Sequence, residues 1–173
     1  MKERKSRKPW ILGTLAVLVV AVIALVVYEQ KDKKQKEEVW AFRDTLDKTY
    51  FPFRDEYESC VYPKKDSKKY DCYKMDLTER SEKLRERINN YEVSSDDAKN
   101  LKNEVLNGID IIDKTSKDLD VSEQVGSKKG KLSADEVADI ADNTSNLMDD
   151  KEAFFKNAEK IYDILVPKYY SKD

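Results

Sequence analysis

The two cysteines, Cys60 and Cys72, are the side chains whose type and spacing point most clearly to a particular chemistry. They enclose the lysine-rich stretch "VYPKKDSKKYD", which is far longer than the spacing of a thioredoxin-type Cys-x-x-Cys motif. A structural zinc site needs further ligands, and the chain has no histidine to complete such a set. We therefore predict a structural disulfide between them and a compartment outside the cytosol, where disulfides persist. Two unpaired thiols in a cytoplasmic domain are the alternative.

The residues needed for common catalytic arrangements are missing from the sequence. Without histidine, neither imidazole acid–base catalysis nor a Ser-His-Asp arrangement is possible. There is also no glycine-rich phosphate loop and no dinucleotide fingerprint. The carboxylates follow the spacing of solvated helix faces, which argues against a two-carboxylate glycosidase. We predict that the protein is not an enzyme and has no cofactor and no metal.

The stretch "DNTSNLMDD", residues 142–150, contains the side-chain types of an ion-binding loop. It lacks the glycine and the final glutamate of an EF-hand loop, so we prefer to interpret it as a polar helix face. Within it, Asn143-Thr144-Ser145 matches a glycosylation acceptor, but this triplet falls inside a predicted helix and is therefore weak evidence.

The composition favours long helices joined by few turns. Charged residues make up 39% of the chain, and there are only four glycines and four prolines, fewer than sheets and sandwiches use. Residues 29–173 carry 28 basic against 34 acidic side chains, so we expect no binding to nucleic acid. Lysine outnumbers arginine by 26 to 7, which hints at an AT-rich genome and favours a bacterial setting.

The N-terminus has the pattern of a membrane anchor. A short basic tail, residues 1–8, precedes a predicted transmembrane helix at residues 9–28, within which the uncharged run from Trp10 to Tyr28 would extend roughly 28 Å as a helix. A cleaved signal peptide, cut after Ala24, is the alternative, but the run stays apolar beyond that residue. We predict an uncleaved single-pass protein of the cytoplasmic membrane.

The orientation of this span is predicted from two observations. Five basic residues lie on each side of it, but those before it are denser and almost free of acids. The predicted disulfide also favours a domain outside the cytosol. We therefore expect the N-terminus inside, a charged stalk at residues 29–38 and an extracytoplasmic domain at residues 39–173.

Apolar residues at helical spacing predict the fold of that domain. A first helix from Val39 is interrupted at Pro52, with the residue before the proline pushed away from helical angles. A second helix covers 70–91 and a third covers 98–119, where Gly108 weakens the helix unless a neighbouring helix approaches closely. Residues 120–131 resemble a loop, and a long last helix starts at Ser133. The fold class is all-α: the transmembrane helix followed by an elongated antiparallel three- or four-helix bundle.

Aromatic residues near the proline form the candidate contact site, together with the lysine-rich loop beside them. The predicted partner-binding residues are Tyr50, Phe51, Phe53, Tyr62 and Lys64. Aromatic side chains dominate the energetics of interfaces when they become buried, and lysines would attract an acidic partner. The alternative, which we favour for the cluster Tyr50, Phe51 and Phe53, is that these rings pack into the bundle.

These features predict a non-enzymatic, membrane-anchored protein-interaction module that binds another envelope or exported protein. It would be an accessory subunit of a bacterial envelope machine for secretion, division or conjugation, or an immunity or exclusion protein against a toxin or phage component. The alternative is a structural envelope protein whose long helices pair between copies. We expect no small-molecule substrate, and a homo-oligomer stays open.

Overall fold

In the part of the chain that the structure describes, every element of regular secondary structure is a helix. This computed structural model covers residues 8–62, 76–126 and 133–169, without the side chains of residues 8–17, 120–126, 134, 140 and 167–169. The helices are α1 (Lys8–Asp47), α2 (Tyr50–Val61), α3 (Leu77–Asn89), α4 (Asp96–Gly126) and α5 (Ala134–Tyr169). The all-α prediction is therefore confirmed.

The chain divides into two compact units, Met1–Glu37 and Glu38–Asp173. In the first unit, the apolar side chains from Leu18 to Val27 are exposed. Among the described residues, however, no helix has an apolar stretch long enough to cross a membrane. This finding does not support the transmembrane helix predicted at residues 9–28. The side chains of residues 9–17 lie outside the described part of the chain.

The second unit is a helical bundle in which α4 packs against both α3 and α5. Along each of these two pairs, the residue numbers of contacting side chains rise on one helix as they fall on the other. The contacts are Thr78–Ser116 and Arg85–Asp110 between α3 and α4, and Glu104–Lys160 and Lys114–Asp150 between α4 and α5. Both helix pairs are therefore antiparallel, as predicted.

The remaining part of the bundle is formed by the end of α1 together with α2, which run parallel to α4. Glu38 contacts Ser95, and Tyr50 lies against Gly108, so residue numbers rise together on the two sides. The helix is broken at Lys48 and Thr49, and Thr49 has a non-helical backbone. The break expected at Pro52 thus lies earlier, and Phe51 is helical, because a proline in the first turn removes an N–H that has no intrahelical acceptor anyway.

The buried core follows the apolar spacing in the sequence. The first two helices contribute Val39, Phe42, Leu46, Tyr50, Phe53 and Tyr57, which recur every three or four residues. The other helices contribute Leu84, Ile88, Ala98, Leu101, Val105, Ile109, Ile112, Phe154, Ile161 and Leu165. Burial of these side chains is the main favourable term that holds the helices together.

The helix starts agree with the capping patterns in the sequence. Ser133 and Glu136 form a reciprocal capping box, since Ser133 Oγ accepts from the N–H of Glu136 and a Glu136 carboxylate oxygen accepts from the N–H of Ser133. At the start of α4, Ser95 Oγ accepts from the N–H of Ala98. The start of the last helix at Ser133 was therefore predicted correctly, and α4 begins at Asp96, two residues before the predicted third helix.

Two helix ends differ from expectation. Helix α4 continues to Gly126, so the first part of the loop predicted at residues 120–131 is helical. The stretch "VSEQV" contains no backbone breaker before this glycine, which explains the longer helix. Helix α5 also continues past Pro167, its expected stop, to Tyr169. The beginning of the predicted second helix, before residue 76, lies outside the described residues.

Candidate functional site

The aromatic residues predicted as one contact site belong to different environments. Tyr50 and Phe53 face the core, with 0% and 5% of their surfaces exposed. Phe51 and Tyr62 are half-buried and therefore keep part of their surface accessible. Lys64 lies outside the described residues. Of the set, only Phe51 and Tyr62 have the exposure that a contact surface requires.

Tyr50 is a packing residue at the meeting point of three helices. Its ring lies against Gly108 of α4, close to Asn157 of α5. Burial raises the pKa of the Tyr50 hydroxyl to about 12, more than the positive charge of Arg54 lowers it, so the group is neutral at physiological pH. Among the described residues its hydroxyl oxygen has no hydrogen-bond partner. Tyr50 therefore fixes the helix spacing and is not available to a partner.

Tyr62, at the C-terminal end of α2, belongs to an aromatic cluster that attaches this end to α5. Its ring centroid lies 5.9 Å from that of Phe154 and 5.8 Å from that of Phe155. Its hydroxyl is 3.3 Å from the hydroxyl of Tyr57, and Lys151 Nζ lies 5.6 Å from its ring centroid. The cluster positions one end of the surface described next.

Phe51 lies on the open side of the same helix, in a hollow of about 570 Å³ between α2 and α5. The hollow has an apolar floor made by α5 and a mixed rim. Its lining residues are Asp47, Phe51, Arg54 and Asp55 on one side and Ala158, Ile161, Tyr162, Leu165 and Val166 on the other. Adjacent residues of one helix point about 100° apart, so the burial of Tyr50 turns Phe51 toward this hollow.

A second hollow of about 410 Å³ adjoins the first on the outer face of α5. It is lined by Phe155, Ala158, Glu159, Tyr162 and Asp163, so Ala158 and Tyr162 belong to both hollows. Tyr162 is 62% exposed, which is unusual for a large aromatic side chain within a bundle. We call the two hollows together the α2–α5 groove.

The rim of the α2–α5 groove is predominantly acidic. Four carboxylates line it, namely those of Asp47, Asp55, Glu159 and Asp163. Arg54 is the single basic residue among the residues that line the two hollows, and its guanidinium carbon lies 5.6 Å from the ring centroid of Phe154 in the core. The positive charge is thus partly withdrawn from the surface, and the rim presents negative charge around an apolar floor.

A buried polar cluster lies elsewhere between α4 and α5, centred on Asp150. This carboxylate is 4% exposed, and it accepts hydrogen bonds from Lys114 Nζ and, at 3.4 Å, from Thr115 Oγ1. Burial, followed by the negative charge of Asp150, raises the pKa of the neighbouring Asp118. Because the Asp150 carboxylate is already paired with Lys114, we interpret this cluster as a structural contact between α4 and α5.

The stretch at residues 142–150 lies within α5, as the interpretation as a helix face predicted. Throughout the residues with described side chains, no three or more cysteine and carboxylate groups are arranged to hold a metal ion. Cys60, in the last turn of α2, is half-buried and is not a free thiol. Cys72 lies outside the described residues, so its pairing with Cys60 stays a prediction.

The α5 side of the groove is absent from the sequence-based site, although the sequence contained a sign of it. Ile161 and Tyr162 are adjacent, and both belong to the apolar stripe that the spacing of the last helix defines. A stripe that wide covers more than one face, so some of its residues had to remain outside the core. Comparisons of the chain with protein-family models, curated proteins and solved structures find no match.

Proposed function

We propose that this protein is a non-enzymatic interaction module that binds another protein through the α2–α5 groove. The observation that carries this proposal is the open apolar floor of the groove, which contains a largely exposed Tyr162. Aromatic side chains supply much of the binding energy of interfaces, because they bury a large area with few rotatable bonds. An apolar surface of this kind is typical of a protein contact.

We further propose that the module is tethered to the cytoplasmic membrane by the apolar run at residues 9–28 and faces the outside. This part of the proposal rests on the sequence, where a basic tail precedes an uncharged run from Trp10 to Tyr28. A tether would raise the effective concentration of a weak binder near a membrane target. The partner would then be another envelope or exported protein. It would be either a subunit of a secretion, division or conjugation machine, or an incoming toxin or phage component.

Self-association is the second candidate function. The same apolar groove could take a helix of a second copy, and the long α5 (Ala134–Tyr169) offers enough length for such pairing. The two candidates differ in the identity of the molecule that occupies the groove, which a covalent capture experiment can determine.

The test is site-specific photo-crosslinking of the full chain in living cells. A photoreactive phenylalanine analogue replaces Tyr162 in the groove or, as the control, Val137, which is also exposed on α5 and does not line the groove. We expect a cross-linked product from position 162 that contains a different envelope or exported protein, and no such product from position 137.

Three other results would count against the proposal. A product containing only a second copy of the chain would replace it with self-association. Equal products from both positions would show that contact is not specific to the groove. No product from position 162, with the protein folded and present at normal levels, would mean that the groove binds no protein in those cells.

A further inference from the structure

We infer that the α2–α5 groove binds a basic amphipathic helix of a partner protein. This inference rests on the proposed function and adds to it the shape and the charge of the occupant. It is carried by three observations: the spacing of the apolar residues of α5 that line the groove, the acidic rim, and a small residue at the centre of the floor.

The apolar residues of the floor repeat at the period of a helix. Phe155, Ala158, Tyr162 and Val166 follow one another at three- and four-residue intervals along α5. The distance from the first to the last is roughly 16 Å at the helical rise, which is about three turns. A groove of this length, with Phe51 on its opposite side, fits helix-in-groove recognition, in which a partner helix inserts residues at i, i+3 or i+4 and i+7.

The charge of the rim determines the kind of helix that would fit. Among the described residues, Asp55, Glu159 and Asp163 are exposed and have no ion-pair partner. By contrast, Asp47 lies 3.7 Å from Arg43 Nε, so its charge is partly compensated within the chain. Three uncompensated carboxylates around an apolar floor attract lysine and arginine side chains and disfavour acidic ones. The lysine-rich site predicted from the sequence would attract an acidic partner. At the α2–α5 groove an acidic partner is not expected.

Ala158 provides the space for an inserted side chain. It is half-buried and lies between Phe155 and Tyr162, and it lines both hollows. A methyl group at this point leaves a recess between two aromatic rings, into which a leucine or phenylalanine of the partner helix can fit. A larger residue at 158 would fill the recess and exclude that side chain.

The experiment measures the binding of two synthetic amphipathic helices to the full chain in nanodiscs of zwitterionic lipid. The two peptides carry the same leucine face, and their polar faces are lysine in one and glutamate in the other. Fluorescence anisotropy of the labelled peptides reports binding, and empty nanodiscs provide the lipid background. We expect the lysine peptide to bind at least about tenfold more tightly than the glutamate peptide, with the preference decreasing as salt is added.

Two variants test the location of this binding. Ala158→Phe should weaken binding of the lysine peptide by at least about tenfold, whereas Ala141→Phe, at an exposed alanine elsewhere on α5, should not change it. The combined variant Asp55→Lys, Glu159→Lys and Asp163→Lys should shift the preference toward the glutamate peptide. Its control is Asp139→Lys, which reverses an exposed charge away from the groove. Because the charge variants change only exposed residues, they keep the test valid if Ala158→Phe fails to fold.

Several outcomes would overturn the inference. If the two peptides bind equally, the acidic rim does not determine which peptide binds. If Ala158→Phe and the charge reversals leave binding unchanged, the peptides do not bind at the rim and the recess. Binding equal to that of empty nanodiscs would identify the lipid as the binder. If these peptides fail while photo-crosslinking at position 162 captures a partner, only the occupant's helical, basic character is wrong. If crosslinking also fails, the proposed function is wrong as well.

Discussion

The ring of Tyr50 packs directly against the backbone of Gly108, at a point where three helices converge. A Cβ atom at position 108 would lie 3.2 Å from Tyr50 Cζ and 2.6 Å from Asn157 Oδ1, and it would approach the tyrosine hydroxyl more closely still. Asn157 Nδ2 in turn donates to the carbonyl oxygen of Glu104 at 2.9 Å. The glycine is therefore required by the close approach of α2 and α5 to α4.

We predict that Gly108→Ala destabilises the bundle. In an isolated helix this change would stabilise by about 1 kcal/mol, but overpacking at a filled site costs about 1–3 kcal/mol, so we expect a net loss of up to about 2 kcal/mol. Thermal unfolding of the full chain in mild detergent, followed by circular dichroism, measures the change.

The matched control for this prediction removes the atom that the new methyl group would meet. The double variant Tyr50→Phe and Gly108→Ala should recover part of the loss, because the hydroxyl oxygen is the nearest atom to position 108. Tyr50→Phe alone should be nearly neutral, since that oxygen has no hydrogen-bond partner among the described residues. An alanine at 108 that raises stability would contradict the close approach.

Elements determined by nearby residues were predicted well from the sequence. The periodic core of α1 and α2 and the Ser133–Glu136 capping box depend on residues within about one helical turn of each other, so spacing alone was sufficient. The burial of Tyr50, with Phe51 turned outward, depends on the exact position of the helix break. That break is at Thr49, and the proline had suggested a later one.

Contacts between distant residues were not predictable in this way. The carboxylate of Glu38 accepts hydrogen bonds from the backbone N–H groups of Ser94 and Ser95, which are more than 50 residues away in sequence. The α2–α5 groove likewise exists only because two helices are brought side by side. Neither relationship produces a local pattern, so both required the folded structure.

Stability should depend on the ionisation of Glu38 at acidic pH. Burial raises the pKa of this carboxyl, but the hydrogen bonds from Ser95 and Ser94 outweigh that effect and lower it from 4.5 to about 2. A carboxyl whose pKa is lower in the folded state stabilises the fold above its unfolded pKa. This stabilisation is lost as pH falls from about 4.5 toward 2.

Glu38→Gln should remove this dependence, because the amide does not titrate over the same range. At neutral pH we expect a loss of about 1–2 kcal/mol, since a charged acceptor at the start of α4 becomes neutral. Glu37→Gln is the control, because its ion pair with Lys33 is 4.0 Å long and largely exposed, and it should change stability by less than about 0.5 kcal/mol. Melting temperatures measured from pH 2 to 7 test both variants; parallel curves for Glu38→Gln and wild type would refute the assignment.

Phe51 and Phe53 should respond differently to alanine substitution, although they are only two residues apart. Phe53 is buried in the core and has Arg80 at 5.1 Å from its ring centroid, so Phe53→Ala should cost about 3 kcal/mol or more. Phe51 is half-buried at the groove, so Phe51→Ala should cost about 1 kcal/mol. Equal losses in thermal unfolding would show that the two rings occupy similar environments. Only Phe51→Ala is therefore suitable for testing partner binding with the fold intact.

The Asp150 cluster should show its coupling through the titration of Asp118. Burial raises the pKa of Asp118, and the negative charge of Asp150 raises it further, against the opposing effect of Lys114. Asp150→Asn removes one negative charge, so the pKa of Asp118 should fall toward its ordinary value of 3.8, as measured by NMR of its carboxyl carbon. Asp149→Asn, at the exposed neighbouring residue, should leave the Asp118 pKa unchanged. An Asp118 pKa that stays the same in Asp150→Asn would mean that the two carboxylates are not coupled. A fall in the Asp118 pKa would show that the negative charge of Asp150 on α5 opposes the ionisation of Asp118 on α4.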